Sequence, residues 1–185
     1  MRLFLAIPLP DATQKVIGNL LSALRELPGA RGSFPKPTNL HLTVYFLGDH
    51  PESALPIIKS TITNALLNQS VLPDLLMEQI GAFPNLRNPR ALFLGGIADP
   101  ALLEFVTTVR NACSVAAIHG DAKTFLPHIT LMRIKEISDM KMWQERVMRI
   151  RFVPQSIPIR ELVLYKSDLG EHGPTYTPIL NWRIG

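Results

Sequence analysis

Cysteine is almost absent from this chain of 185 residues, since Cys113 is the only one. A single thiol cannot form an intramolecular disulfide, so the sequence predicts a reducing compartment and a small core residue at this position. Long apolar runs are also absent, because Pro8, Pro10 and Asp11 interrupt the hydrophobic amino terminus. We therefore expect neither a secretory signal nor a membrane span, and we predict a cytoplasmic protein with no membrane partner.

An excess of charge of one sign is absent too. Lysine and arginine number 19 against 15 acidic residues, and the formal net charge of +4 favours a small anionic ligand over a long duplex. Hydrophobic residues make up 46% of the chain, which is enough for a packed core. The five histidines lack the spacings of metal-binding motifs, so the sequence predicts no metal and no other cofactor.

The chain does contain one short motif twice. Residues 41–44 read His-Leu-Thr-Val, and residues 128–131 read His-Ile-Thr-Leu. Both stretches are predicted strands, and residues two apart on a strand share a face, so each histidine projects beside a threonine. One imidazole can take a proton while the other gives one, and hydroxyls can hold phosphoryl oxygens. The pattern therefore favours acid–base chemistry on a phosphodiester.

The duplication extends beyond the motif, because the apolar run 3–7 is echoed by residues 92–96. Each run precedes a helix start, and a second helix is predicted after each motif. At Asp11 the start has the spacing of a capping box, with Gln14 three residues on. The predicted helix starts are Asp11, Ser53, Asp99 and Ser138; further predicted strands are 75–80, 157–166 and 175–183, and predicted loops are 28–38 and 81–90.

Each half alone is too short to bury its own sheet. The sequence therefore predicts an α+β fold that is bilobal and pseudo-twofold, with two antiparallel or mixed sheets facing a central cleft and helices outside. We expect one domain over 1–185 with two interleaved lobes. The approximate repeat halves are 1–80 and 90–150, and the C-terminal strands 157–183 complete the sheets. The other histidines, His50, His119 and His172, are expected at the surface, with His172 near the rim of the cleft.

The sequence around these motifs resembles the two-histidine (2H) phosphoesterases, and more closely the RNA 2′,3′-cyclic phosphodiesterases of the LigT/ThpR group. The resemblance is carried by residues 2–7, 39–43, 46–48, 125–131, 133, 164–167 and 176–178. It implies metal-free hydrolysis of a 2′,3′-cyclic phosphate at an RNA end, which leaves a 2′-phosphomonoester. It also implies that His41 is the proton donor to the leaving oxygen and that His128 is the proton acceptor from the attacking water.

Three further residues are candidates for phosphate binding. Thr43 and Thr130 would contact the phosphate, or would otherwise be ordinary β-branched strand residues. Arg133 matches an arginine of the family, but five residues past His128 it faces away on a regular strand. It reaches the phosphate only where a bulge or the end of the strand turns it, and it is otherwise a surface arginine.

Three aromatic residues are candidates for contact with a base or with the cleft. Tyr45 is in phase with His41 on the first motif strand, which predicts that it lines the cleft. Tyr176 and Phe4 offer rings on which a base can stack. Each of the three fits the hydrophobic core equally well.

Two other functions stay open. Some members of the group join tRNA halves through 2′–5′ linkages, so RNA ligase activity on tRNA fragments is one alternative. A non-catalytic nucleotide-binding module is the other, although a pure binder has no need to keep both imidazoles. The expected partners are RNA ends or nucleotides with a 2′,3′-cyclic phosphate, and no obligate protein partner is expected.

Overall fold

The structure, a computed structural model, describes residues 1–170 and 173–185. The strands are β1 (Arg2–Pro8), β2 (Ala30–Ser33), β3 (His41–Asp49), β4 (Leu75–Phe83), β5 (Ala91–Gly96), β6 (His128–Ile137), β7 (Gln155–Ile157), β8 (Glu161–Gly170) and β9 (Gly173–Arg183). The helices are α1 (Asp11–Arg25), α2 (Leu55–Ala65), α3 (Pro100–Val115) and α4 (Met140–Arg149). Two short 3₁₀ helices, Pro37–Asn39 and Glu52–Ala54, precede β3 and α2.

The strands form two antiparallel sheets. The first sheet has the order β3-β1-β8-β9, and the second has the order β2-β6-β5-β4-β7. Three adjacent strands of one sheet match three of the other, since β3-β1-β8 corresponds to β6-β5-β4. This pseudo-twofold, two-sheet arrangement confirms the predicted α+β fold. Cα atoms of β3 and β6 approach within 8 Å, so the sheets meet at the strands that carry the two motifs.

The helices begin close to their predicted positions, but their caps differ. Asp99 caps α3, because its side chain accepts a hydrogen bond from the Ala101 backbone N–H. Asp11 does not cap α1. It lies inside the first turn, where a carboxylate still interacts favourably with the helix dipole. The predicted capping box does not form, and the Gln14 side chain donates to the Leu9 carbonyl oxygen instead.

Strand boundaries depart from the prediction in three places. The predicted loop 28–38 contains β2, a four-residue edge strand that is too short to show a periodicity. The predicted loop 81–90 begins too early, because β4 continues to Phe83. The predicted strand 157–166 is divided into β7 and β8 around Pro158, since proline has no N–H to donate to a ladder.

The core lies between the sheets and the helices and includes the single cysteine, as the sequence predicts. Cys113 is fully buried on α3, and burial raises the pKa of its thiol to about 11. Within the described ranges, no helix is both long and apolar enough to cross a membrane. His172, expected near the cleft rim, lies outside the described residues.

Candidate active site

The two motif histidines stand at equivalent places in the two sheets. His41 is the first residue of β3 and pairs with Pro8 on β1, and His128 is the first residue of β6 and pairs with Gly95 on β5. β3 and β6 approach each other, and the charge of His128 acts on His41, so the two imidazoles lie near each other where the sheets meet.

A backbone carbonyl orients each imidazole. His41 Nδ1 donates to the Asn39 carbonyl oxygen at 2.7 Å, and His128 Nδ1 donates to the Leu126 carbonyl oxygen at 2.7 Å. A carbonyl can only accept, so Nδ1 carries the proton in both rings. Nε2 of each neutral ring is therefore left with a lone pair for proton transfer. The Asn39 side chain also donates to the Pro174 carbonyl oxygen at 2.8 Å, which ties this segment to β9.

A β-bulge occurs at the same place in both motif strands. On β3 the bulge leaves Val44 without a counterpart on β1, and on β6 it leaves Leu131 without a counterpart on β5. The threonines, Thr43 and Thr130, precede the bulges by one residue, so they keep the phase of the histidines. Both threonines are half-buried on the side of the cleft, as the alternation predicts.

The bulges change which later residues face the cleft. On β6 the bulge brings Arg133 back to the face of His128, which is the route by which the sequence allows this arginine to reach the site. On β3 the equivalent position is Phe46, which sequence reasoning missed. Tyr45 is turned away and only 7% exposed, so of the two places that the sequence left open for it, the cleft and the core, it lies in the core.

The cleft wall formed by the first sheet is aromatic. Phe4 lies 4.9 Å from the His41 ring, stacks on Tyr165 at 5.3 Å and meets Tyr176 edge-on at 5.0 Å, centroid to centroid. Tyr176 also meets His41 edge-on at 5.2 Å. Phe4 is only 2% exposed and therefore supports these rings, so it does not offer a free face to a base. Tyr165 and Tyr176 are half-buried, and Tyr165 was not singled out from the sequence.

The second sheet places two phenylalanines beside His128. Phe83 stacks on Phe93 with centroids 4.3 Å apart, and both rings meet His128 edge-on, at 4.9 Å and 5.8 Å. By strand register Phe93 corresponds to Ala6 in the other sheet, since Phe93 pairs with Thr130 and Ala6 pairs with Thr43. Its ring lies over Gly81, where a side chain would collide with it. The echo between residues 3–7 and 92–96 aligns Phe93 with Phe4 and is therefore out of register by two residues, and Phe83 fell in a predicted loop.

Burial lowers the pKa of both histidines. The pKa of His41 falls from 6.5 to about 4, mainly because the ring is buried, and the charges of His128 and Arg133 act in the same direction. Burial is also the main cause for His128, with smaller contributions from Arg133 and Lys123. The hydrogen bonds to Asn39 and Leu126 oppose these shifts, because they stabilise the charged rings.

Two cations act on the imidazoles, and a third acts on Tyr176 beside them. The positive charge of Arg133 contributes to the lowered pKa of His41 and His128. Burial raises the pKa of Tyr176, and Arg133 opposes that rise. Lys123 acts on His128 from the preceding loop, and Arg2 acts on Tyr176. Lys123 and Arg2 have no sequence signal that distinguishes them from solvated surface charges. In the part of the chain that the structure describes, no three His, Cys, Asp or Glu side chains cluster as a metal site.

Comparison with known proteins gives a consistent result. The sequence profile of the 2′-5′ RNA ligase superfamily matches residues 13–171. The RNA 2′,3′-cyclic phosphodiesterase of Thermus thermophilus is 32% identical over 191 residues, which cover 100% of this chain and 90% of that protein. The protein of the same name from Methanocaldococcus jannaschii is 29% identical over 184 residues, which cover 98% of this chain and 100% of the relative.

Solved structures agree in fold. A crystal structure of a Thermus thermophilus protein superposes with a TM-score of 0.75 at 27% identity, covering 100% of this chain and 98% of that one. Escherichia coli LigT complexed with 3′-AMP superposes with a TM-score of 0.73 at 24% identity, covering 99% and 97%. At this level of identity the second likeness concerns the fold alone.

Proposed function

The chain belongs to the 2′-5′ RNA ligase superfamily, and from that premise we propose that it hydrolyses 2′,3′-cyclic phosphates at RNA ends to 2′-phosphomonoesters. The observation that carries the proposal is the pair of imidazoles, each held through Nδ1 and each with Nε2 available at the cleft. Relatives named RNA 2′,3′-cyclic phosphodiesterase align over nearly the whole chain, which supports the same activity.

In the proposed reaction the two histidines have opposite roles. Nε2 of neutral His128 accepts a proton from water as the water oxygen forms a bond to phosphorus. The bond from phosphorus to the ribose 3′-oxygen breaks, and protonated His41 donates its Nε2 proton to that oxygen. The products are a 3′-hydroxyl and a 2′-phosphate. His41 then ends neutral and His128 protonated, so solvent must exchange one proton with each before the next turnover.

The surrounding residues would stabilise charge and hold the substrate. Thr43 and Thr130 donate hydroxyl hydrogen bonds to the non-bridging oxygens, and Arg133 adds a charged donor on the same face. Tyr176 and Tyr165 offer half-buried rings beside His41, where the base of the terminal nucleotide can stack.

Product analysis on a short RNA that ends in a 2′,3′-cyclic phosphate tests this proposal. The wild-type protein should yield only the 2′-phosphate, and His41→Ala and His128→Ala should each lose about 10²- to 10⁴-fold in rate while remaining folded by circular dichroism. The double variant should lose less than the product of the single losses, because the residues act as a unit. Near wild-type turnover in either single variant, or binding without turnover, would contradict the mechanism.

The proposal requires no metal, because the imidazoles and hydroxyls already supply proton transfer and charge stabilisation. Turnover should therefore persist in excess EDTA. Loss of activity in EDTA with recovery on addition of a divalent cation would show that this part of the proposal is wrong.

Ligation is a second candidate, favoured by the aromatic pair beside His128. If a 5′-hydroxyl of RNA replaced the attacking water, its nucleoside would lie on this side of the cleft. There Phe83 and Phe93 offer rings for stacking. Supplying a second RNA with a 5′-hydroxyl distinguishes the two outcomes, since ligation gives a longer RNA with a 2′–5′ linkage.

A further inference from the structure

A half-buried arginine connects the strand of one histidine to the loop of the other. Arg110 lies on α3, and its Nη1 donates to the Lys123 carbonyl oxygen at 2.7 Å. Its Nη2 donates to the Val44 carbonyl oxygen at 3.3 Å. Val44 is the extra residue of the β3 bulge, one position after Thr43. Lys123 lies three residues before Leu126, whose carbonyl orients His128. One guanidinium therefore joins the backbones that lead to both imidazoles.

Tyr45 holds the same loop from a second direction. The Arg110 guanidinium lies over the Tyr45 ring, 5.2 Å from its centroid, and the Tyr45 hydroxyl accepts a hydrogen bond from the Gly120 N–H at 3.0 Å. The Asp121 N–H donates to the Phe46 carbonyl oxygen at 2.9 Å. The approach is so close that a Cβ at Gly120 would lie 2.5 Å from that oxygen and from the Tyr45 ring.

The β3 bulge explains why Tyr45 is available for this contact. Without the bulge, strict alternation would place Tyr45 on the cleft face beside His41. With it, Val44 and Tyr45 both turn away from the cleft, towards the side where α3 contacts β3. Nε of Arg110 is buried without a hydrogen-bond partner among the described residues. A buried donor without a partner costs free energy, whereas both Nη atoms of the same guanidinium have carbonyl partners.

We propose that Arg110 and Tyr45 form a clamp that sets the position of His128 relative to His41, an inference that rests on the proposed function. Arg110 is a positioning residue, since its hydrogen bonds and ring contact among the described residues are with backbone carbonyls and with Tyr45, not with the histidine rings. Without the clamp, the loop that contains Lys123 and Leu126 can shift, and His128 moves out of line with the phosphate. A displacement of about 1 Å can cost roughly 100-fold in rate.

A matched pair of arginines separates positioning from stability. Arg160 also binds a backbone carbonyl, that of Leu72 at 2.8 Å, and it forms an ion pair with Asp74 at 2.6 Å. Among the described residues, its hydrogen bonds and ion pair involve neither β3 nor the loop before His128. Replacing either arginine by methionine keeps an unbranched apolar stem and removes the guanidinium, so both variants lose carbonyl contacts while only one loses the clamp.

The experiment compares Arg110→Met, Arg160→Met and Tyr45→Phe on 2′,3′-cyclic CMP. Arg110→Met should lower kcat about 10- to 100-fold with KM within about threefold. Tyr45→Phe should lower kcat by less, and the double variant should be no worse than Arg110→Met, because both changes release one loop. Arg160→Met should keep kcat within about twofold, even where its melting temperature falls as far as that of Arg110→Met.

A structural readout keeps the clamp testable independently of turnover. The ring signals of His128, assigned with His128→Gln and followed by NMR against pH, should move in Arg110→Met and stay unchanged in Arg160→Met. Equal kcat and unchanged His128 signals in folded Arg110→Met would overturn the clamp. Absence of turnover in the wild-type protein would instead contradict the proposed function, while a shift of the His128 signals would still support the clamp.

Discussion

The two motif histidines make the same kind of backbone hydrogen bond, but their surroundings differ. Each ring donates from Nδ1 to a carbonyl two residues earlier, so local sequence determines the tautomer. The ring of His41 is covered by Phe4, Tyr165 and Tyr176, and its pKa falls to about 4. A proton donor with so low a pKa is neutral in the free protein near pH 7, so the substrate itself must favour its protonation. A phosphodiester anion between the rings does so.

We therefore expect different pH profiles for kcat/KM and kcat on a 2′,3′-cyclic nucleotide. The first reports free-protein pKa values and the second those of the complex. Both histidine pKa values are lowered. As the pH rises, kcat/KM should therefore begin to fall already below about pH 6.5, the ordinary pKa of histidine. The bound anion raises the pKa of His41, so the fall in kcat should lie about one unit or more higher. Steady-state kinetics from about pH 4 to 9 measure both, and coincident alkaline limbs would contradict the assignment.

At the scale of elements, the paired bulges decide which side chains enter the site. Alternation along the strand was enough to predict that Thr43 and Thr130 accompany the histidines. Alternation could not locate the bulges, because a bulge depends on the pairing of two strands and leaves no fixed pattern in one of them. For that reason Tyr45 stayed undecided between the cleft and the core, Phe46 was missed, and Arg133 stayed undecided between two orientations.

The orientation of Arg133 leads to a prediction at this scale. Arg133→Met should lower kcat/KM for a cyclic nucleotide about 10- to 100-fold, because a charged donor to the phosphate is lost. It should also raise the pKa of His41 and of His128, since the charge of Arg133 lowers both. Kinetics and NMR titration of the rings measure these effects. The control is Arg149→Met in the last turn of α4, which removes one exposed charge. Equal effects of the two variants would show that Arg133 acts only through net charge.

For the whole molecule, the halves of the repeat do not correspond to the sheets. The first sheet joins β1 and β3 to the C-terminal β8 and β9, whereas β2 and β4 cross over to the second sheet. The motif predicted two facing strands, and both strands are observed. The membership of β2 was not predictable, because a four-residue edge strand is defined by its neighbour β6 and not by its own sequence. The site therefore exists only when the entire chain has folded, since neither half contains a complete sheet.

The distribution of charge over the whole molecule predicts how RNA length affects turnover. The net charge is only +4, yet Lys123, Arg133 and Arg2 all act on the cleft side chains. A cyclic mononucleotide has one phosphate, so a tenfold rise in salt should lower its kcat/KM about fivefold. An RNA whose next phosphates reach Lys123 or Arg2 should lose more than about 20-fold over the same range.

Two lysine variants test the origin of that difference. Lys123→Met should remove about one phosphate contact, which lowers the slope of log kcat/KM against log salt concentration for RNA by about 0.7. It should leave the same slope for the mononucleotide unchanged. Lys59→Met, on the exposed face of α2, removes the same charge away from the cleft and should change neither slope. Kinetics from about 0.05 to 0.5 M NaCl provide the slopes. Identical slopes for RNA and mononucleotide would mean that only the terminal phosphate is bound, and the chain would then recognise the RNA end without its backbone.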